Sequence, residues 1–299
     1  MRITQRAVTL TSLQGLYTNL GAVSKLQQQL TSGKTISKPS DDPTGTNTAL
    51  ITRQGIAGNA QQARNISDGK TFLGATDSAL QDMLSQVQKV RDLTVQAMND
   101  GSLDAAAQQD IATQVTGLRE SLLGQANQVV QGHPLFGGVT SGGIAYDATG
   151  KYVGAGDGSN PATWTVRRVS DVESLRVDTT GPEAFGDPAS GKDLFAVVGS
   201  IAGHVGNSSA LQTDLGDLDA VIKKMTTALA DIGTRSDRMD TAAQVNTAAS
   251  LNLQTQQQQV EDIDLAKTIM NLQMQQNGYQ AALSATAKAL TPTLVDYLR

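Results

Sequence analysis

The sequence has no cysteine among its 299 residues, which excludes disulfides, thiolate zinc sites and cysteine nucleophiles. Histidine is almost as scarce, with only His133 and His204. A metal site would have to gather carboxylates from separated segments. A serine nucleophile would need one of these two rings as base, and there is no Gly-x-Ser-x-Gly elbow to present it. No run of about 18 apolar residues is available for a membrane-spanning helix. The stretch from Met1 to Leu20 lacks the basic start and apolar block of a secretory signal, so a chain that leaves the cell would do so by another route. Charged residues make up 17% of the chain and the net charge is -5. With no cluster of Lys and Arg, neutralisation of nucleic-acid phosphates is excluded as a role.

Aromatic residues are few as well, ten in all, and six of them (Phe136, Tyr146, Tyr152, Trp164, Phe185 and Phe195) fall between His133 and Ala196. The same stretch holds Pro134, Pro161, Pro182 and Pro188, many glycines, and β-prone runs at Ala162 to Val169 and Ser174 to Val177. It reads as a small β-rich domain. On either side Ala, Gln, Leu, Thr and Asp dominate, and apolar residues take helical spacing.

One heptad stripe runs Leu73, Thr76, Leu80, Met83, Val87, Val90, Thr94 and Ala97; a second runs Leu211, Leu215, Leu218, Ile222, Met225, Leu229 and Ile232, with Met239 beyond. Two long helices carrying such stripes can bury each other. Both chain ends repeat the pattern, with Leu13, Leu16, Leu20, Val23 and Leu30 near the start and Leu265, Ile269, Leu272, Tyr279, Leu283 and Leu290 near the finish. A helix over Thr4 to Thr31 would be about 40 Å long at the usual rise. Its apolar stripe is narrow, so it needs a partner for stability. Ser32 to Thr48, with Gly33, Pro39, Pro43 and Gly45, reads as a connector. Beyond Pro292, which interrupts any continuous helix, Leu294 and Leu298 extend the apolar set in what reads as a docking tail.

Motifs suggestive of chemistry resolve into other roles. Gly33-Lys34-Thr35 echoes the end of a phosphate loop, but Gln28 stands where the first glycine is required and no strand precedes it. Asp41-Asp42 lacks the alternating ligands of a calcium loop and suits solvation or helix capping. Gly154, Gly156 and Gly158 have the wrong spacing for a dinucleotide fingerprint and suit a hairpin loop. The glutamines of Gln254 to Gln259 continue a helical region and suit a solvated or intersubunit polar face. The expectation is a protein that is not an enzyme and uses no cofactor.

Several short motifs, taken in order, carry a resemblance. Met1-Arg2-Ile3-Thr4, Leu30-Thr31-Ser32-Gly33-Lys34 and Pro39-Ser40-Asp41-Asp42-Pro43 open the series. Arg64-Asn65, Asp68-Gly69, Ala79-Leu80 and Val90-Arg91-Asp92-Leu93-Thr94-Val95-Gln96-Ala97 follow, then Leu135-Phe136-Gly137-Gly138, Asp193-Leu194-Phe195 and Gly233-Thr234-Arg235-Ser236-Asp237-Arg238-Met239. Tyr279-Gln280-Ala281-Ala282-Leu283, Pro292-Thr293-Leu294 and Leu298-Arg299 close it. Together they resemble the flagellin-like family of flagellar proteins, and the Ser-Asp-Asp-Pro form looks more like its hook-associated members than like flagellin. Where such members usually have an aromatic before Leu-Phe-Gly-Gly, this sequence has His133-Pro134.

The resemblance implies a mainly α fold: long N- and C-terminal helices paired in a coiled-coil and helical-bundle rod, with a small β-rich domain inserted in the middle. It divides the chain into terminal arms (1–37 with 262–299), a bundle (38–132 with 207–261) and an outer domain (133–206). The implied role is a junction between hook and filament on the outside of the cell, reached by flagellar type III export without a cleavable signal. The implied partners are copies of itself, hook-associated protein 1, flagellin and an export chaperone, with no nucleic acid and no membrane insertion. The expected assembly interface is Leu13, Leu16, Leu20, Val23, Leu30, Leu265, Ile269, Leu272, Tyr279, Leu283, Leu290, Leu294 and Leu298. A short flagellin is the near alternative; an adhesin or carbohydrate-binding module on a helical stalk is the more distant one.

Overall fold

The computed structural model describes residues 5–99, 104–140 and 143–290. Their long helices are α1 (Gln5–Ser32), α2 (Pro43–Ala97), α3 (Ala105–Ala126), α6 (Ser208–Glu261) and α7 (Leu265–Leu290). Between α3 and α6 lie two hairpins, β1 (Val129–Val130) with β2 (His133–Pro134) and β3 (Val166–Arg168) with β4 (Ser174–Arg176). Two shorter helices, α4 (Gly181–Phe185) and α5 (Leu194–His204), complete the set. The chain divides into two compact units, Asn59–Ala248 and the residues on either side of it.

In the Asn59–Ala248 unit the α2 stripe is a core seam, with Leu73, Thr76, Leu80, Met83, Val87, Val90, Thr94 and Ala97 all fully buried. The hydroxyls of Thr76 and Thr94 donate to the carbonyls of Phe72 and Val90, which lets two polar residues sit inside without an unmet donor. On α6 the innermost row is Leu211, Leu218, Met225, Ile232 and Met239, seven residues apart. The expected second row differs: Asp214, Val221 and Ala228 are buried, while Leu215, Ile222 and Leu229 are only half-buried. Spacings of three and four both satisfy a helical stripe. The smaller Val221 and Ala228 occupy the interior, and the longer Ile222 and Leu229 cover its flank. Arg91 pairs with Asp219 at 2.8 Å and Lys70 pairs with Asp240, so α2 and α6 run antiparallel. Asn59 and Asn246 close the buried seam by bonding reciprocally, 2.7 Å between their side-chain amides.

α3 begins on Asp104, whose carboxylate accepts the Ala107 N–H at 2.7 Å. It buries Ile111, Val115, Leu122 and Ala126 and packs on α5, where Arg119 Nε donates to the Phe195 carbonyl at 3.0 Å. The middle segment contains less strand than its β-prone runs suggest, each hairpin being only two or three residues wide. Such hairpins are marginal alone, and an aromatic cluster supports them: Phe136, Tyr146, Phe185 and Phe195 meet edge-on or tilted at 4.7 to 6.1 Å. Arg176 adds a second centre, stacked 4.6 Å over Trp164 and paired with Asp178 and Glu183 at 2.9 and 2.7 Å. Gly138 has φ +60°, and a Cβ there would lie 2.4 Å from the Ala155 carbonyl oxygen, so both its conformation and its neighbour require glycine.

Candidate assembly interface

The remaining unit contains α1, the connector, the first turns of α2, the last turns of α6, and α7. Helix α2 starts at Pro43, inside the segment expected to be all connector, because Asp42 and Pro43 form a strong start signal. The Asp42 carboxylate accepts the Gly45 N–H at 2.9 Å, and proline at the first helical position lacks only a donor that would be unpaired anyway. A Cβ at Gly45 would meet Asp42 Oδ2 at 2.4 Å and Ile36 Cδ1 at 2.7 Å, which accounts for the small residue in this turn. Asp41 faces the other way: it accepts the backbone N–H groups of Ser37 and Lys38 and pairs with Lys25 on α1 at 3.1 Å. The Lys25 contact, aided by those backbone bonds, holds the Asp41 carboxyl below its ordinary value.

α1 packs on α7, and Gln275 donates to Asn19 across the pair at 3.1 Å. Of the residues expected at this interface, Val23 is buried, and Leu16, Leu30, Leu272 and Tyr279 are half-buried. Leu13, Leu20, Leu265, Ile269 and Leu283 remain exposed, Leu20 by 47% and Leu265 by 58%. Leu290 ends α7, with its side chain outside the description; Leu294 and Leu298, like the opening Met1 to Thr4, lie outside the described residues. Leu10, Tyr17, Met270 and Met274 are exposed as well, each above half, and heptad counting missed them. For Tyr17 and Met270 the signal was the pairs Leu16-Tyr17 and Ile269-Met270, where adjacent apolar residues widen the arc beyond a two-position seam. The helix pair thus leaves an apolar surface in water, the kind of surface that marks interaction sites in proteins generally.

At the base of the pair sits a charge that the apolar pattern could not reveal. Glu261, the last residue of α6, has a side chain only 2% exposed. Arg53 Nε and Nη2 reach its two oxygens at 2.7 and 2.9 Å, and Lys34 Nζ reaches Oε2 at 2.5 Å. Bonds from Arg53 and Lys34 outweigh burial and hold the Glu261 carboxyl down at about 2. Lys34 and Thr35, which echoed a phosphate loop, serve here as a clip: the Thr35 N–H donates to the Glu261 carbonyl at 2.6 Å and the Ile263 N–H to the Gly33 carbonyl at 3.1 Å. Most of Gln254 to Gln259 faces solvent on the last turns of α6. Among the described residues, no group of three or more acidic or histidine side chains could hold a metal ion, and no helix is long and apolar enough to cross a membrane.

Paired terminal helices with exposed apolar side chains, in a chain whose other unit has a closed helical seam, are the features of a structural helical protein with no chemical site among the described residues. The bacterial flagellin N-terminal helical region matches residues 3–140 and the flagellin C-terminal helical region matches 215–298, together well over half the chain. The chain belongs to the bacterial flagellin family and is a structural component of the flagellum. It is 24% identical to flagellar hook-associated protein 3 of Salmonella typhimurium, over 97% of this chain and 96% of that protein. To the flagellin of Bacillus subtilis it is 26% identical, again over 97% and 96%. The solved flagellar junction protein of Legionella pneumophila shares the fold with a TM-score of 0.56 at 14% identity, covering 72% of this chain and all of that one.

Proposed function

We propose that this chain is the subunit that joins the hook to the filament, and that the α1–α7 pair is its assembly interface. The observation that carries this reading is the exposed apolar face of Leu10, Leu13, Tyr17 and Leu20 on α1 and of Leu265, Ile269 and Leu283 on α7, on helices already paired with each other. Burying what remains exposed of such side chains at an interface contributes about 1 to 2 kcal/mol each, before the cost of association. Copies of the chain cover the stripe laterally, with a ring of hook-associated protein 1 on one side and the first flagellin layer on the other. In this reading residues 1–37 with 262–299 form the assembly core, 38–132 with 207–261 the supporting bundle, and 133–206 the outward part. Export proceeds through the flagellar apparatus with a chaperone covering the apolar ends, and no chemical step is involved.

Immunogold labelling of intact flagella tests the position. Label confined to a narrow band at the hook end of the filament is expected, and cells lacking the gene should carry bare hooks and lose flagellin to the medium. The full-length match to a flagellin favours one competing reading, a short filament subunit, for which label would run along the whole filament.

A further inference from the structure

We propose that Glu261 is a positioning residue for assembly: its buried carboxylate, shared by Lys34 and Arg53, sets the register of α1 against α7 and so presents the apolar stripe. This inference rests on the assembly reading above. Four helical segments converge on this one group. Lys34 lies two residues past the end of α1, Arg53 sits in the opening turns of α2, and Glu261 ends α6 with only Asp262 to Asp264 before α7 begins. The links to both terminal helices are tight. The N–H of Gly33, at φ +69°, bonds to the Gln29 carbonyl of α1, and Asp264 caps α7 by accepting the Lys267 N–H at 3.1 Å.

The main-chain clip between Gly33–Thr35 and Glu261–Ile263 does not by itself choose a register, since backbone groups repeat along a chain. A single carboxylate held between two cations does choose one. Sliding either segment would leave Glu261 buried and unpaired, the costly way to break a buried ion pair. Arg53 fixes the angle as well, because its two nitrogens meet the two carboxylate oxygens in a planar fork. With one residue of slack toward α1 and three toward α7, that register is passed on to the helix pair.

The absence of cysteine makes a direct test possible in the full-length chain. Asn19→Cys and Gln275→Cys place thiols where α1 and α7 exchange a hydrogen bond, and a short bifunctional maleimide then reads their register. Adding Glu261→Gln should slow cross-linking about ten-fold by opening the pair locally. Thermal unfolding followed through Trp164, the single tryptophan and a member of the other unit, should not move. Arg53→Met should match Glu261→Gln, the two together should be no worse than either alone, and Arg53→Lys, which keeps the charge but loses the fork, should restore only part of the cross-linking. Cells whose only copy carries Glu261→Gln, without the added thiols, should show bare hooks. Cross-linking at the parent rate in Glu261→Gln would overturn the proposal, as would loss of the Trp164 transition in both Glu261→Gln and Arg53→Met, which would make the cluster an ordinary part of the core. Immunogold label on the unmutated protein away from the junction would instead contradict the role proposed in the previous section and leave the cross-linking result to stand on its own.

Discussion

Helices α1 and α2 carry apolar stripes of the same kind, yet α2 buries Leu73, Leu80, Val87 and Val90 completely while α1 leaves Leu13 and Leu20 more than 40% exposed. Their surroundings account for the difference. α2 meets α6, α3 and the aromatic middle segment within its unit, so its stripe is enclosed on several sides. α1 has α7 as its partner, and two helices side by side cover only one face of each. A heptad stripe therefore signals that burial is needed without saying whether the same chain supplies it. Where the chain supplies it, the stripe stabilises a fold; where it does not, the stripe is left for the assembly proposed above.

Charge placed in each stripe should break this comparison most visibly. Leu80→Asp puts an unpaired carboxylate in the closed seam and should cost at least about 4 kcal/mol, abolishing the cooperative Trp164 transition. Leu20→Asp in the open stripe should leave that transition in place. If Leu20→Asp proved as destabilising as Leu80→Asp, the two stripes would not differ in kind.

Acid offers a second contrast. Because the Glu261 carboxyl is held at about 2 in the folded chain against an ordinary value of 4.5, it binds fewer protons folded than unfolded. The stability it contributes is complete above about pH 4.5 and is lost as pH falls toward 2. Amide protection of α1, referred to the intrinsic exchange rate at each pH, should weaken over that interval, and Glu261→Gln should flatten the dependence. An identical acid profile in the Glu261→Gln protein would remove Glu261 from the explanation.

A smaller effect is expected from the polar closure of the seam. Asn59→Ala removes the 2.7 Å bond between the two side chains but leaves Asn246 Nδ2 on the carbonyl of residue 59, so it should cost about 0.5 to 1.5 kcal/mol, measured by denaturant titration. The smallest effect on stability, within about 0.5 kcal/mol, should come from Tyr17→Ser at a site 70% exposed. That same change should reduce incorporation into flagella. Filaments at normal frequency on Tyr17→Ser cells would show that this part of the stripe is not contacted.

Much of this architecture was legible in the sequence because period-3.5 patterning survives translation into helices unchanged: every α2 seam residue is buried as spacing implied. The second α6 row was misplaced by one residue, since Leu215, Ile222 and Leu229 outrank Val221 and Ala228 in hydrophobicity, whereas close approach favours small side chains. The family motifs acquire physical reasons only in three dimensions. Asn65 donates to the Arg168 carbonyl, Asp68 pairs with Arg167, and Arg235 donates to the Asp178 carbonyl, so these motifs hold the β3–β4 segment against the helices. Glu261, Lys34 and Arg53 were illegible because they are more than two hundred residues apart at the extreme, and nothing local marks a charged residue as buried.

The most direct measurement is amide hydrogen exchange on the purified protein and on isolated flagella, comparing α1 with the Leu73 to Ala97 part of α2. Slow exchange across α2 in both preparations is expected, with α1 exchanging rapidly in the purified protein and slowing by orders of magnitude in the flagellum. Equal protection of α1 and α2 in the purified protein would contradict the claim that the terminal stripe is completed only by assembly.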